Sequence, residues 1–303
     1  KKKILIFSGL RDYEIKTICK YDFFRMYLPS EKLNFYILIK MIIFCKFKKI
    51  DYLSLIIKKV RPKIFISTYD NDFDMYILKK KFPNIKFILI QNGRRGGAND
   101  LFNIKFSKIN NKKYFIDYFF VFGEAIKNQY KKFVVSNYFC SGSLRNNFFP
   151  INNKINLNNK IILISQFRPK FNLNYKYKNR DINYTQFYKN SKKLFINLEK
   201  FCNTSKIQLF ILPSTLKNTI EFEKEKIYYN SISKSQNIKF IDKRDGQDSY
   251  KIFDRFDIFF GEDSTLLYEA ISRNKKIGAF KRFKHIENYN FLWPMFNKKK
   301  GFF

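Results

Sequence analysis

Short apolar runs recur along this chain, each closed by a small or polar residue and followed by a stretch with helical spacing. Runs of β-branched and aromatic residues predict strands over 3–8, 63–68, 86–91, 118–122 and 138–141. Between them the spacing predicts helices over 50–60, 72–82 and 124–133. Lys58, Lys59 and Arg61 near the end of the first of these suit the negative pole of a helix. The rhythm breaks over 144–160, which is rich in Asn and contains Pro150 and reads as a linker. A second series follows, with strands over 160–165, 208–212, 238–241, 257–260 and 277–280. Its helices are predicted over 184–202, 222–233 and 249–253, with one more opening after Asp263 and running to about Asn274. Strand and helix in alternation make a parallel sheet covered by helices. The predicted fold class is therefore α/β, as two Rossmann-like parallel-sheet domains, 1–150 and 151–303, facing a cleft. The ligand crevice is expected at the carboxyl ends of the strands.

Composition narrows the class. The 303 residues are 45% hydrophobic and 19% aromatic, ample for two cores. The longest apolar stretch, 35–47, is broken by Lys40 and Lys46 and falls short of the roughly 18 residues that span a bilayer. Residues 1–8 are basic, but their apolar run is strand-length and does not read as a signal peptide. The apolar segments 293–296 and 301–303 suggest that the natural chain continues, the alternative being an aromatic tail docked on the second domain. Cys19, Cys45, Cys140 and Cys202 lack metal spacing and read as buried thiols of a reducing cytoplasm. The net charge of +35 would ordinarily suggest nucleic acid. Here Lys far outnumbers Arg, the lysines are spread over the whole chain, and Lys, Asn, Ile, Phe and Tyr are the residues of A/T-rich codons. Attraction to an anionic membrane surface or an anionic sugar nucleotide fits this charge better.

The candidate chemistry gathers at predicted strand ends. In the second series Asp263, Ser264 and Thr265 follow a buried strand and open a helix, where unpaired N–H groups and the dipole favour a phosphate. Glu269, about a turn and a half beyond, is placed to reach a ribose hydroxyl. Gln166 and Arg168 follow another strand, Arg168 as a phosphate clamp and Gln166 as a reader of base or ribose; a loop Arg on the surface is the alternative. In the first series Gln91, Asn92 and Gly93 form a turn in which glycine allows close ligand approach. Arg94 and Arg95 there could pair with phosphate or carboxylate, although Asn-Gly is equally an ordinary turn. Gly123, Gly142 and Ser143 follow short strands and would face the cleft, or serve only as caps and turns. Asp70, Asp72 and Asp74 cluster at a strand end, and one could deprotonate a sugar hydroxyl, with Asp72 alternatively a helix cap. The single histidine, His285, lies in a loop beyond the last predicted strand, which argues against a Ser-His-Asp system, and one histidine excludes a His-rich metal site. No Walker loop or dinucleotide fingerprint is present.

Taken in order, the segments 63–71, 87–94, 117–123, 142–143, 164–168, 263–270 and 300–303 resemble the O-antigen or surface-carbohydrate biosynthesis proteins of bacteria, which are glycosyltransferase-like. More distantly the chain is similar to two-domain GT-B transferases, among them glycerol-phosphate polymerases and sialyl- and Kdo-type transferases. The resemblance implies a GT-B-like fold and a metal-independent transfer of sugar from a nucleotide-sugar donor to a lipid-linked or growing glycan. It implies that Ser264 and Thr265 hold the donor phosphate, with no cofactor beyond the donor itself as substrate. The place expected is the cytoplasm, peripheral to the inner membrane. Those transferases often carry a His-Pro pair after a strand of the second domain, where this chain has Leu212-Pro213. Transfer of a polyol phosphate, and a non-catalytic binding role in a polysaccharide cluster, stand as alternatives.

Overall fold

The computed structural model describes residues 3–10, 12–27, 32, 34–95, 101–108, 113–151, 160–167, 175–177, 180–182, 184–235, 237–243, 248–262 and 264–280. The chain divides into two compact units, Lys1–Phe148 and Phe149–Phe303.

Unit 1 runs β1 (Ile4–Phe7), α1 (Asp12–Ile18), β2 (Phe23–Met26), α2 (Phe35–Ile43), α3 (Lys49–Val60), β3 (Ile64–Ser67), α4 (Phe73–Lys81) and β4 (Lys86–Ile90). It continues through α5 (Leu101–Ile104), β5 (Tyr114–Val121), α6 (Glu124–Tyr130), β6 (Val134–Cys140) and α7 (Leu144–Asn147). Its six strands are parallel in the order β2-β1-β3-β4-β5-β6. The order reverses between β1 and β3, the place where open α/β sheets leave a crevice at their strand ends. β1 is buried along its whole length, as expected of a strand covered on both faces. Asp72 caps α4 by accepting from the Asp74 amide at 3.1 Å, and α3 closes on Arg61 in the left-handed region.

Unit 2 runs β7 (Lys160–Ile164), β8 (Tyr175–Tyr177), β9 (Arg180–Ile182), α8 (Tyr184–Thr204), β10 (Gln208–Leu212), α9 (Ile220–Ile232), β11 (Ile238–Phe240), α10 (Asp248–Phe253), β12 (Ile258–Gly261), α11 (Thr265–Ser272) and β13 (Lys276–Ala279). Five strands form a parallel sheet in the order β11-β10-β7-β12-β13, which reverses between β7 and β12, and β8 and β9 pair as a small antiparallel ribbon. Two apolar clusters fill the unit, one built on Phe195, Leu209 and Ile211, the other on Phe253, Phe259 and Leu267. At the sheet edge Gly278 stands opposite Phe260, and a Cβ there would overlap the Phe260 ring, so β13 needs glycine at this register. Arg273, capping α11, donates to both Asp254 oxygens and to the carbonyls of Phe149 and Pro150, tying the first residues of the unit to its core.

Three expectations are corrected. Residues 144–147 are not linker: they form α7, capped by the Ser143 hydroxyl accepting from the Asn146 amide. The strand expected over 118–122 starts at Tyr114, and that expected over 138–141 starts at Val134. Only Cys19 and Cys202 are buried; Cys45 and Cys140 are exposed. Cys45 sits in the left-handed turn after α2, and Cys140 ends the edge strand β6, where its thiol donates to Glu124 Oε1 at 3.3 Å. Among the described residues no helix is long and apolar enough to cross a membrane.

Candidate functional site

In unit 1 the strand ends at the β1–β3 reversal are joined side chain to side chain. Ser8 Oγ and Thr68 Oγ1 lie 2.8 Å apart, and Ser8 Oγ also accepts from the Leu10 amide. A concavity opens there, lined by Gly9, Thr68, Gln91, Asn92, Ser143 and Arg145 among others. The structure thus brings Gln91, Asn92 and Ser143 together, although 52 positions separate Gln91 from Ser143. Gln91 is almost fully buried; its Nε2 donates to the Gly93 carbonyl at 2.8 Å and its Oε1 accepts from the Phe122 amide at 2.8 Å. That clamp shapes the turn carrying Gly93 and Arg94 and joins it to the end of β5.

Beneath the turn lies a buried charge pair. Asp70 has no exposed surface, and Arg95 is 6% exposed. Arg95 Nε donates to Asp70 Oδ2 at 2.8 Å, its Nη2 pairs with Asp70 Oδ1, and Tyr130 Oη donates to Asp70 Oδ2 at 2.7 Å. The Asn92 amide donates to Oδ1 at 3.1 Å, and Tyr76 Oη donates to the Asp70 carbonyl. Burial works against the charge of Arg95, but the Asp70 carboxylate and the Tyr130 hydroxyl outweigh it and hold the guanidinium pKa above its ordinary value. Burial, reinforced by Asp70, drives the Tyr130 phenol well above its usual range. Asp70 is therefore the centre of a closed network that fixes the Gln91–Arg95 turn. Asp72 is more accessible, at 19% side-chain exposure, and pairs with Lys49. Asp74 is raised above the ordinary carboxylate range by burial and then by Asp72.

Gly123 precedes α6 in extended backbone, and Gly142 adopts φ +71°, the left-handed region that favours glycine, immediately before the Ser143 cap. Arg145, which the sequence reading passed over, lines the same concavity and donates to the Gly9 carbonyl at 3.4 Å. Its position two residues after a capping Ser was the available signal.

In unit 2 the carboxyl ends of β7 and β12 adjoin at the order reversal. A cavity there is lined by Gln166, Phe167, Tyr188, Ser191, Gly261 and Glu262, with further residues from α8 and α9. Ser165, just after β7, accepts from Tyr229 Oη at 3.0 Å and from the Phe167 amide at 3.1 Å. Burial is the main reason the Tyr229 phenol is raised far above its usual range. Glu262 is 4% exposed, and its Oε2 accepts from Ser191 Oγ at 2.7 Å across 71 residues of sequence. Neither partner was singled out from sequence; a carboxylate directly after a buried strand glycine was the signal for Glu262. Two residues on, Ser264 caps α11 by accepting from the Leu266 amide at 3.2 Å, and Thr265 is the first residue of the helix. Gln166, just after β7, and Ser264 and Thr265, between β12 and α11, therefore lie at the carboxyl ends of adjacent strands.

Glu269 does not lie on that cavity. It faces the core at 3% exposure, where its Oε1 accepts from Tyr250 Oη at 3.1 Å, and the Tyr250 ring stacks on Phe149 at 4.7 Å. Leu267 and Ala270 are buried on the same helix, so the inward stripe carries Glu269 with it. At the turn after β10, where the GT-B resemblance led one to look for His, Glu225 accepts from the amides and hydroxyls of Ser214 and Thr215. Arg168, Asp263, Gly96, Gly97, His285 and residues 293–303 lie outside the described residues. Among the described residues no group of three or more His, Cys, Asp or Glu is placed to hold a metal ion.

Known proteins share this architecture. The fold is similar to that of a "putative UDP-N-acetylglucosamine 2-epimerase" of Listeria monocytogenes, at a TM-score of 0.52 and 10% identity over 92% of this chain and 79% of that one. It is similar also to the UDP-GlcNAc 2-epimerase of Methanocaldococcus jannaschii in complex with UDP-GlcNAc and UDP, at a TM-score of 0.50 and 11% identity, covering 91% of this chain and 83% of that one. The two parallel-sheet units are thus those of a GT-B-like fold. No curated protein matches the sequence. A family model described as "putative O-antigen biosynthesis protein" matches residues 88–303, well over half of the chain and including both concavities' strand ends from β4 onward. The chain belongs to this O-antigen biosynthesis protein family.

Proposed function

We propose that the protein is a glycosyltransferase that moves a sugar from a nucleotide-sugar donor onto a surface glycan under assembly. The observation that carries this reading is the placement, at the β7–β12 reversal, of Gln166, Ser191 and Glu262 around a small recess in the same strand-end region as the α11 start at Ser264. Open α/β sheets take ligands at such reversals, and helix starts favour phosphate. Membership of an O-antigen biosynthesis family supports a sugar substrate. A protein of the same fold is known in complex with UDP-GlcNAc, which supports a nucleotide-linked one.

In this reading Gln166, Ser264, Thr265 and the first turn of α11 hold the donor diphosphate and nucleoside, with Arg168 and Asp263 from the adjoining turns. Glu262 shapes the donor cavity through Ser191. Gln91, Asn92, Gly93, Arg94, Gly123, Gly142 and Ser143 form the acceptor side in unit 1. Asp70 orders that side by fixing Arg95 and the Asn92 amide, and Asp72, the more accessible of the two, is the general base. Stabilisation of the leaving diphosphate by N–H groups and cations replaces a metal. Donor and lipid-linked acceptor meet on the cytoplasmic side of the membrane.

The test is product analysis with purified protein, sugar-labelled donors and lipid-linked acceptor. Transfer predicts a labelled glycan and free nucleotide in equal amounts. Release of CMP from a CDP-polyol would assign polyol-phosphate transfer, and return of an isomerised nucleotide sugar would assign epimerisation. Binding without turnover of any donor would leave a non-catalytic role.

A further inference from the structure

Helix α2 carries two apolar stripes. Ile37 and Met41, one turn apart, are buried, and the helix contacts α3. Phe35, Ile39, Ile42 and Ile43 follow i, i+4, i+7, i+8 spacing and share the opposite side of the helix. They are 74%, 57%, 64% and 68% exposed. Phe44 and Phe47, next in the chain, are exposed as well. Isolated surface apolar residues are ordinary, but a contiguous stripe of this kind marks a surface that is covered in use.

The surroundings of the stripe identify the cover. The concave surface between α2 and the end of α3 is lined by Lys40, Lys46, Lys58, Lys59 and Arg61, with no carboxylate among its lining residues. Lys40 and Lys59 both stand over the Tyr36 ring, at 4.6 and 4.1 Å from its centroid. Protein interfaces exclude Lys from their centres and favour Trp, Tyr and Arg. Here lysines predominate over arginine, and the outward apolar residues are isoleucine and phenylalanine in equal number. A helix that lies in a bilayer interface has this arrangement, with its apolar side at the acyl boundary and long lysine stems reaching the headgroups. Anionic headgroups would supply the negative charge that the lining lacks.

We propose that α2, the turn after it and the end of α3 form a docking surface for an anionic lipid bilayer. The surface deepens the lipid-linked acceptor reading, yet it is tested without donor or acceptor, so either can fail alone. The experiment is co-sedimentation of the full chain with vesicles of phosphatidylglycerol and phosphatidylcholine, against vesicles of phosphatidylcholine alone. The expected result is binding to the anionic vesicles that weakens as salt is raised. Substitution I39Q/I42Q/I43Q on the exposed stripe should reduce binding at least tenfold. K58A/K59A should reduce it about 25-fold, at about fivefold per cation. Both variants should keep the wild-type melting temperature. Equal binding to neutral vesicles, or binding unchanged in both variants, would overturn the proposal. So would absence of vesicle binding together with a dimer lost in I39Q/I42Q/I43Q, which would assign the surface to a second copy. A lowered melting temperature in that variant without vesicle binding would assign it to a segment of this chain.

Discussion

The two sheets reverse strand order in the same way, and they use the reversal differently. In unit 1 the residues behind the β1–β3 crevice are committed to one another: Asp70 takes donors from Arg95, Tyr130 and the Asn92 amide, and Gln91 spans from Gly93 to Phe122. In unit 2 the β7–β12 recess mixes polar groups (Gln166, Ser191, Glu262 and tyrosine hydroxyls) with apolar Leu163, Ile164, Phe167 and Leu194, and α11 starts nearby, capped by Ser264. The first is a platform whose charges are neutralised inside; the second is a small recess of mixed polarity near a positive helix pole. A platform suits an acceptor that is held by shape, whereas a helix pole suits a diphosphate.

The sharpest way to break this contrast is to remove one partner of the buried pair. Asp70→Ala leaves Arg95 an uncompensated buried cation and should cost unit 1 about 3–5 kcal/mol, read by chemical denaturation. Asp70→Asn, which keeps the shape, should also destabilise. If it instead unfolds like wild type and abolishes turnover, Asp70 is the base and the platform reading is wrong. In unit 2 the corresponding structural weak point is the β12–β13 edge. Gly278→Ala forces the Phe260 ring to move and should cost about 1–3 kcal/mol, read by chemical denaturation.

Ser264→Ala sharpens the other side. Loss of the cap should cost about 1 kcal/mol of stability. Donor affinity should fall by more than that if, as proposed, the hydroxyl also holds the donor phosphate. The smallest effect is one of pH. Burial raises the Glu199 carboxyl, but bonds from Ser233, Lys234 and Ser235 outweigh it and leave its pKa lowered. A carboxylate lowered on folding adds stability that is complete above its unfolded value and is lost as pH falls through the folded one. Unit 2 should therefore begin to soften below about pH 4.3, and Glu199→Gln should flatten that slope in a pH-resolved melt.

These predictions also mark what was legible in the chain. Most strands of the two main sheets were, because buried parallel strands are short runs of Ile, Phe and Leu; β3, β4, β7 and β10 fall within or at the ends of their predicted ranges, while β2, β8 and β9 were not expected. So were helix starts set by local chemistry, at Asp72 and Ser264. Residues 12–43 were not; in α2 the run 35–43 is apolar except for Lys40, and a continuous apolar run does not distinguish helix from strand. The pairings that shape the sites were out of reach for a different reason. Asp70 meets Arg95 across 25 residues and Glu262 meets Ser191 across 71, and no local pattern encodes such contacts. Glu269 shows the converse: a residue near the helix start by spacing, yet turned inward by the stripe it shares with Leu267 and Ala270.

The central claim is that unit 2 holds a nucleotide-linked sugar at the turn before α11. It is tested most directly by thermal melts of the full chain with UDP-, GDP-, CDP-, CMP- and dTDP-linked sugars, for wild type and Ser264→Ala side by side. One donor should raise the wild-type transition, with a stabilisation of about 2.7 kcal/mol at a hundredfold excess over Kd, and should raise the variant markedly less. No shift with any donor, or an equal shift in both proteins, would contradict it.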